Sequence, residues 1–246
     1  MVETNSTKAA KNGKREFICE RQGKNLYHSD KPDLIIQEFR SNGVDESKKR
    51  GKVRDCDILR NEISTYLFEY IEGFHIPTYF VGKLSDTEMM VKKSEIIPLS
   101  VKVYNTGNGV LSQRFGIAES EELEFPIIEH YARQSDNTDA WVNEYHIYAF
   151  NIASPEEYKQ INRISSKVNA VLRGLCDRRQ LTLTGMQLEF GRYKDQVLLC
   201  DELSPYTCYF IDPATNDKRR QDRFTPSHEN AVESFAELFD RLTLKV

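Results

Sequence analysis

No apolar run in these 246 residues approaches the length needed to cross a bilayer, so a helical membrane protein is excluded and no membrane partner is expected. A dominant charge is missing too. The 34 Lys and Arg against 38 Asp and Glu leave a net −4, which argues against a nucleic-acid partner held by bulk charge. Cysteine is scarce and odd in number: Cys19, Cys56, Cys176, Cys200 and Cys208, with no CxxC pair. Reduced, mostly buried thiols in the cytoplasm are expected. The five histidines do not stand at ligand spacing to them, which argues against zinc. Residues 1–15 are polar and basic with no hydrophobic signal core, as expected of a loose arm.

What is present centres on Leu188-Glu189-Phe190-Gly191 and Asp201-Glu202-Leu203-Ser204-Pro205. Between them Arg192–Gln196 is turn-like, and Val197-Leu198-Leu199-Cys200 reads as a returning strand, so the pattern predicts a β-hairpin. Glu189 and Asp201 stand about equally far from its tip, and opposed residues of antiparallel strands share a face. Two carboxylates on one face repel unless a cation sits between them, and Mg²⁺ carrying nucleotide phosphates is the common solution. From this pattern alone, a solvated hairpin with unrelated acids fits equally well.

Strand-like runs come first: Phe17–Cys19, Leu34–Phe39, Tyr79–Val81 and Met89–Val91. Ser41–Arg54 is polar and reads as a loop. Ile58, Ile63, Tyr66, Leu67, Tyr70 and Ile71 are spaced for one helical face, which Gly73 and Pro77 end. A second helix starts at Ser154-Pro155-Glu156-Glu157, a capping box with proline in the first turn. It buries Ile161, Ile164, Val168, Val171, Leu172 and Leu175. A last helix begins near Ser227 and carries Val232, Phe235, Leu238, Phe239 and Leu242. Strands followed by helix, hairpin and helix predict an α+β protein of two lobes with a cleft between them.

Further motifs fall in one order along the chain. Asn61-Glu62-Ile63-Ser64, Phe74-His75-Ile76-Pro77-Thr78 and Leu84-Ser85-Asp86-Thr87-Glu88-Met89-Met90-Val91-Lys92-Lys93 precede Ile97-Pro98-Leu99, Arg114-Phe115-Gly116-Ile117 and Val142-Asn143-Glu144. Together with the two hairpin motifs, these resemble the SAICAR synthetase family from about Glu20 to Arg223. The resemblance implies antiparallel sheets with flanking helices and an ATP cleft between the lobes. It implies a nucleotide-binding lobe over 16–96 and a substrate- and metal-binding lobe over 97–246, as one catalytic unit. It further implies a homo-oligomer using ATP and Mg²⁺ to activate a small-molecule carboxylate as an acyl phosphate, and to join it to an amine, aspartate in the family. Such chemistry needs a neutralised triphosphate, a nearby lysine and an aligned carboxylate. By the resemblance Glu189 and Asp201 are metal-side acids and Lys24 belongs to the nucleotide loop. The stretch Met90–Pro98, with Lys92, Glu95 and Ile96, meets the nucleotide. For Lys24, a surface lysine at a strand end is the plain alternative.

The departures cluster by role. The family's nucleotide loop has glycine at Arg21 and lysine at Gln22. At Ser100, Tyr104 and Val110 it has glutamate, arginine and serine. Gly185 and Gln187 replace its aspartate and lysine, Tyr206 and Tyr209 its aspartate and arginine, and Thr225 an arginine. Several of these family residues hold the substrate's ribose phosphate and carboxylate, a task for Arg or Lys forks. Each charge-assisted bond contributes roughly 1.5–3 kcal/mol. The substrate side expected here comprises Tyr104, Val110, Arg114, Arg133, Asp139, Gln187, Ser204, Tyr206 and Tyr209, with Lys102 as a compensating cation and Asp45 as a stand-in for a family acid. The expected activity is therefore an ATP-dependent carboxylate–amine ligase acting on a changed carboxylate in a specialised biosynthetic pathway. The alternatives are the family's housekeeping purine-biosynthetic reaction and a nucleotide-binding pseudoenzyme. The tyrosines also fit as ordinary core or surface aromatics.

Overall fold

The computed structural model describes residues 15–40, 50–133, 139–214 and 223–244. It begins with the antiparallel strands β1 (Phe17–Arg21), β2 (Lys24–His28) and β3 (Leu34–Phe39). The β1–β2 connection has two residues, Gln22 and Gly23, at φ +48° and +68°. Positive φ at both positions is what a type I′ hairpin turn demands. Gly23 adopts it freely, whereas Gln22 is strained. Helix α1 (Arg50–Glu72) follows, then β4 (Phe80–Lys83) and β5 (Glu88–Lys92), giving a sheet in the order β1-β2-β3-β5-β4. The loop expected over Ser41–Arg54 is thus corrected at its end, because 50–54 belong to α1. Residues 41–49, with Asp45, lie outside the described residues, as does the expected arm up to residue 14.

The second sheet holds β6 (Glu95–Thr106), β7 (Glu122–Arg133), β8 (Asp139–Val142), β9 (Thr182–Tyr193), β10 (Gln196–Cys200) and β11 (Cys208–Ile211). Its order is β10-β9-β6-β7-β8, with β11 paired to the other end of β9. Two short helices, α2 (Gly109–Phe115) and α3 (Glu144–Ala149), leave it, and α4 (Pro155–Arg178) crosses it. The capping box at Ser154 is formed: its hydroxyl accepts from Glu157 N at 3.2 Å, and Glu157 Oε2 accepts from Ser154 N at 2.7 Å. The expected apolar stripe of α4 is buried from Ile161 to Leu175 except at Val171, which is half-buried. It packs with Leu99, Val101 and Val103 of β6 and Met186, Leu188 and Phe190 of β9 in one core. Each such side chain contributes about 1.5–3 kcal/mol relative to exposure. The last helix, α5 (Ala231–Thr243), packs on α1 and starts four residues later than expected. Residues 223–230 spend themselves in turns, and Asn230 makes no side-chain cap.

Strand alternation leaves the other face of β6 and β9 free of α4, and this face looks onto the first sheet. The sheets are tied where Pro77–Tyr79 crosses β10: Leu199 N donates to Pro77 O at 3.0 Å, and Tyr79 N donates to Leu199 O at 2.9 Å. Antiparallel sheets with flanking helices make this an α+β fold. Among the described residues no helix is long and apolar enough to cross a membrane.

Candidate active site

The hairpin around Glu189 forms, but its register corrects the expected pairing by one residue. The turn Lys194-Asp195 sets Tyr193 opposite Gln196, and from there the ladder pairs Glu189 with Cys200. Asp201 is the next residue, and simple alternation would turn it away from Glu189. Instead it adopts φ +72°, and both acids line one cavity. The kink is held through the Asp201 carbonyl, which accepts from the Tyr79 hydroxyl and, at 3.4 Å, from Gln37 Nε2.

Lys24, on β2, is not a surface lysine. Only 2% exposed, its ammonium lies 2.6 Å from Asp201 Oδ1 and 2.7 Å from Glu202 Oε1. Burial opposes that charge, but Asp201 and Glu202 raise the Lys24 pKa above its ordinary value. Glu202 also accepts from Arg60 through Nε at 2.7 Å and through Nη2, and from Ser204 Oγ at 2.6 Å. Burial works against this carboxylate as well, yet Arg60 and Lys24 hold it well below the usual range. Asp201 goes the other way: burial, reinforced by Glu189 and Glu202, raises its pKa despite Lys24. Arg60 also donates to the carbonyls of Gln22 (3.2 Å) and Gly23 (3.3 Å), so α1 braces the β1–β2 turn.

Glu189 is 3% exposed and fully engaged. Arg21 bonds Oε2, while Arg133 and Gln22 Nε2 (the latter at 3.0 Å) bond Oε1. The cavity beside it measures about 60 Å³. Leu26, Ile35 and Ile96 give it an apolar wall, and Lys92 and Ser94 a polar one. Lys92 and Ile96, two of the expected nucleotide contacts, therefore line this cavity. Glu95 does not line the cavity; its carboxylate is 74% exposed and pairs with Arg192 at 3.0 Å. Among the described residues no group of three or more His, Cys, Asp or Glu could hold a metal by itself. Glu189 and Asp201 still suit a Mg²⁺ shared with phosphates, which takes one or two carboxylates. Their hard oxygen donors meet at one cavity, and the charge of Glu189 raises the Asp201 pKa, so a cation between them relieves repulsion.

Register assembles the adjoining wall. Ser100 stands between Glu189 and Tyr131, Lys102 between Gln187 and Glu129, and Tyr104 between Gly185 and Ile127. Tyr209 pairs with Gly185 from the far side. A Cβ on Gly185 would lie 2.7 Å from Val103 O, so the strands approach there only because that side chain is absent. The expected substrate residues Tyr104, Gln187 and Tyr209 therefore meet on one face. The cations of this face have acid neighbours: Arg114 Nη1 binds Glu129 Oε1 at 2.7 Å, and Lys102 Nζ lies 3.8 Å from Asp139. Lys102 also sits 4.1 Å from the Tyr131 ring centroid. Ser100 Oγ is buried with no hydrogen-bond partner among the described residues. Val110 is exposed in the first turn of α2.

Two expected contacts lie apart from this wall. Tyr206 stacks on Arg60, 4.0 Å from ring centroid to guanidinium carbon, and makes a T-shaped contact with Phe235. Ser204 is fully buried beneath Glu202. Gln37, Arg60, Tyr79 and Glu202 are not among the residues expected at the site from sequence. Arg60 and Glu202 had a detectable signal, since charged residues amid apolar helix and strand patterns are buried only when paired.

Comparison with known proteins agrees with this architecture. The SAICAR synthetase family profile matches residues 18–237. The phosphoribosylaminoimidazole-succinocarboxamide synthase of Persephonella marina is 34% identical, covering 94% of this chain and 98% of its own. That of Chlorobium chlorochromatii is 37% identical, over 93% and 98%. Among solved structures, the Ehrlichia chaffeensis enzyme superimposes with TM-score 0.80 at 30% identity, over 94% of this chain and 100% of its own. A SAICAR synthetase in complex with ADP gives the same TM-score and identity, over 93% and 97%.

Proposed function

The chain belongs to the SAICAR synthetase family and so is an amide-forming ligase, and from that premise we propose that it runs the reaction of its relatives at the Lys24–Glu189–Asp201 centre. In this reading the carboxylate of carboxyaminoimidazole ribonucleotide takes the γ-phosphoryl group of ATP, releasing ADP. The amine of aspartate then attacks the acyl carbon, phosphate leaves, and the amine loses a proton. Lys24, pinned by two acids, offers a fixed positive charge to the phosphates, and preorganised charge of this kind is the largest source of rate in such transfers. Magnesium, held by Glu189 and Asp201, would neutralise the phosphates. The apolar wall of Leu26, Ile35 and Ile96 suits a purine ring. The observation that carries the reading is the buried Lys24–Asp201 pair opening onto the same cavity as Glu189.

A second reading keeps the chemistry and changes the carboxylate. Its support is the substrate wall: Tyr104, Gln187 and Tyr209 stand together where the family resemblance calls for phosphate-binding cations, and Arg114 is already bound to Glu129. One experiment separates the two. ADP release is measured from Mg-ATP with L-aspartate and carboxyaminoimidazole ribonucleotide, against controls lacking each. Release that requires both supports the first reading. No ADP release from protein that still binds Mg-ATP rejects it and favours another carboxylate, to be sought among unphosphorylated acids. A protein that binds nucleotide but turns over none of these is a pseudoenzyme.

A further inference from the structure

Arg21 is a charged residue of the cavity to which the ligase chemistry gives no role. It closes β1 at the strained Gln22-Gly23 turn, and its guanidinium binds Oε2 of Glu189 while Arg133 and Gln22 bind Oε1. Both oxygens of this acid are thus committed to the chain's own donors. The same pattern holds opposite, where Lys24 pairs with Asp201 and Glu202 and Arg60 pairs with Glu202. Lys24, Arg21, Arg133 and Arg60 face Glu189, Asp201 and Glu202. A bare divalent cation entering this cluster meets positive charge already seated on its ligands. A nucleotide polyphosphate brings several anionic oxygens that a guanidinium fork binds bidentately, whereas Arg21 reaches Glu189 through Nη2 alone. The cavity points the same way. At about 60 Å³ it is well below the roughly 300–1,000 Å³ of ligand pockets, and Arg21 and Glu189 both line it, so their bridge spans the space a nucleotide must open.

Resting on the reading of the cavity as a nucleotide site, we propose that Arg21 is a nucleotide-phosphate ligand that leaves Glu189 when phosphates arrive, so that metal binding at Glu189 depends on bound nucleotide. Arg21 and Arg133 each end a strand and are equally exposed, at 24%, but Arg21 lines the cavity and borders the two-residue turn, whereas Arg133 does not line it. Arg21 is therefore the cation placed to move. The coupling is reciprocal: nucleotide tightens metal by the same factor as metal tightens nucleotide.

The test uses the full chain with ADP and Mn²⁺, the metal read by electron paramagnetic resonance and the nucleotide by calorimetry. The quantity is the ratio of Mn²⁺ dissociation constants without and with saturating ADP. In the wild-type protein this ratio is expected to be about a hundred or more. In Arg21→Ala, Mn²⁺ alone binds more tightly and the ratio drops at least tenfold. A smaller drop, or none, overturns the proposal while leaving the nucleotide site intact. Failure of the wild-type protein to bind ADP with Mn²⁺ instead removes the nucleotide reading, and this inference with it. Should Arg21→Ala fail to fold, Arg21→Gln removes the same charge and carries the same comparison.

Discussion

The Lys24 ammonium is buried 2.6 Å from Asp201 Oδ1, and each charge exists in the interior because of the other. Lys24→Met keeps much of the stem's packing but leaves Asp201 and Glu202 short of a cation. Breaking a buried pair from one side costs about 3–5 kcal/mol, and that loss is expected in urea denaturation at pH 8. The sign of its pH dependence follows from Asp201. Its folded pKa is already raised, and without Lys24 it rises further, so the folded variant binds a proton that the unfolded chain does not. The deficit should therefore shrink as the pH falls toward 5. A deficit that grows with acid would show that Lys24 does not set the charge of Asp201.

Tyr79→Phe isolates the backbone kink at Asp201. The ring remains in the core against Phe68, while the hydroxyl that donates to the Asp201 carbonyl is lost. An unsatisfied buried acceptor costs about 1–3 kcal/mol, so stability should fall by that order. Freed from its clamp, Asp201 relaxes from φ +72°, and Mn²⁺ affinity in the presence of ADP should fall at least tenfold. Loss of stability with unchanged metal affinity would separate the kink from the site.

Glu189 and Asp201 also show how far sequence reasoning reaches. The hairpin was legible because alternating apolar residues flank a polar turn, and the α4 capping box because Ser154 and Glu157 stand three apart. The register was not, since it depends on a two-residue turn with Lys194 at φ +54°, which composition does not reveal. That Asp201 nevertheless reaches the face of Glu189 follows from tertiary bonds to Tyr79 and Gln37, residues over 120 positions away. The short helices α2 and α3 escaped because six or seven residues hold too few turns to show a period. Tyr206 looked like a substrate contact by its position after the Asp201 motif, and only the fold discloses Arg60 beneath it.

Arg60→Lys tests that arrangement. The guanidinium reaches both Glu202 oxygens and two turn carbonyls while stacking on Tyr206. An ammonium reproduces the charge but neither the fork nor the stack. A stability loss of about 2–4 kcal/mol is expected from the incompletely paired Glu202. Because the β1–β2 turn loses its brace, ADP affinity should weaken as well.

Glu189→Gln addresses the chemistry without emptying the site. The amide keeps the shape and one acceptor oxygen for Arg133, and Arg21 is exposed enough to turn to solvent. Stability is expected to fall by about 1–3 kcal/mol, because the new amide N–H₂ faces donors where a carboxylate oxygen accepted. Turnover should fall more than about a hundredfold, as when other preorganised charge is removed from a transferring group. Retained turnover would overturn the proposed role of Glu189 in holding the metal.

His130 supplies the acid limb of the stability profile. It lies on the core side of β7, with Nε2 2.9 Å from Asn162 Oδ1 and its ring 5.0 Å from that of Tyr158, both on α4. Burial lowers its pKa, and the Asn162 bond and the charge of Glu129 only partly oppose this. A depressed histidine is neutral in the fold at pH values where the unfolded chain, near pKa 6.5, is already taking up a proton. Stability therefore falls as the pH drops below about 6.5 and stops falling, for this group, below the folded pKa. In His130→Gln that component is absent, so the difference in unfolding free energy between variant and parent should move in the variant's favour from pH 7.5 to pH 5.5. Parallel profiles across that window would mean that His130 takes up its proton without leaving the core.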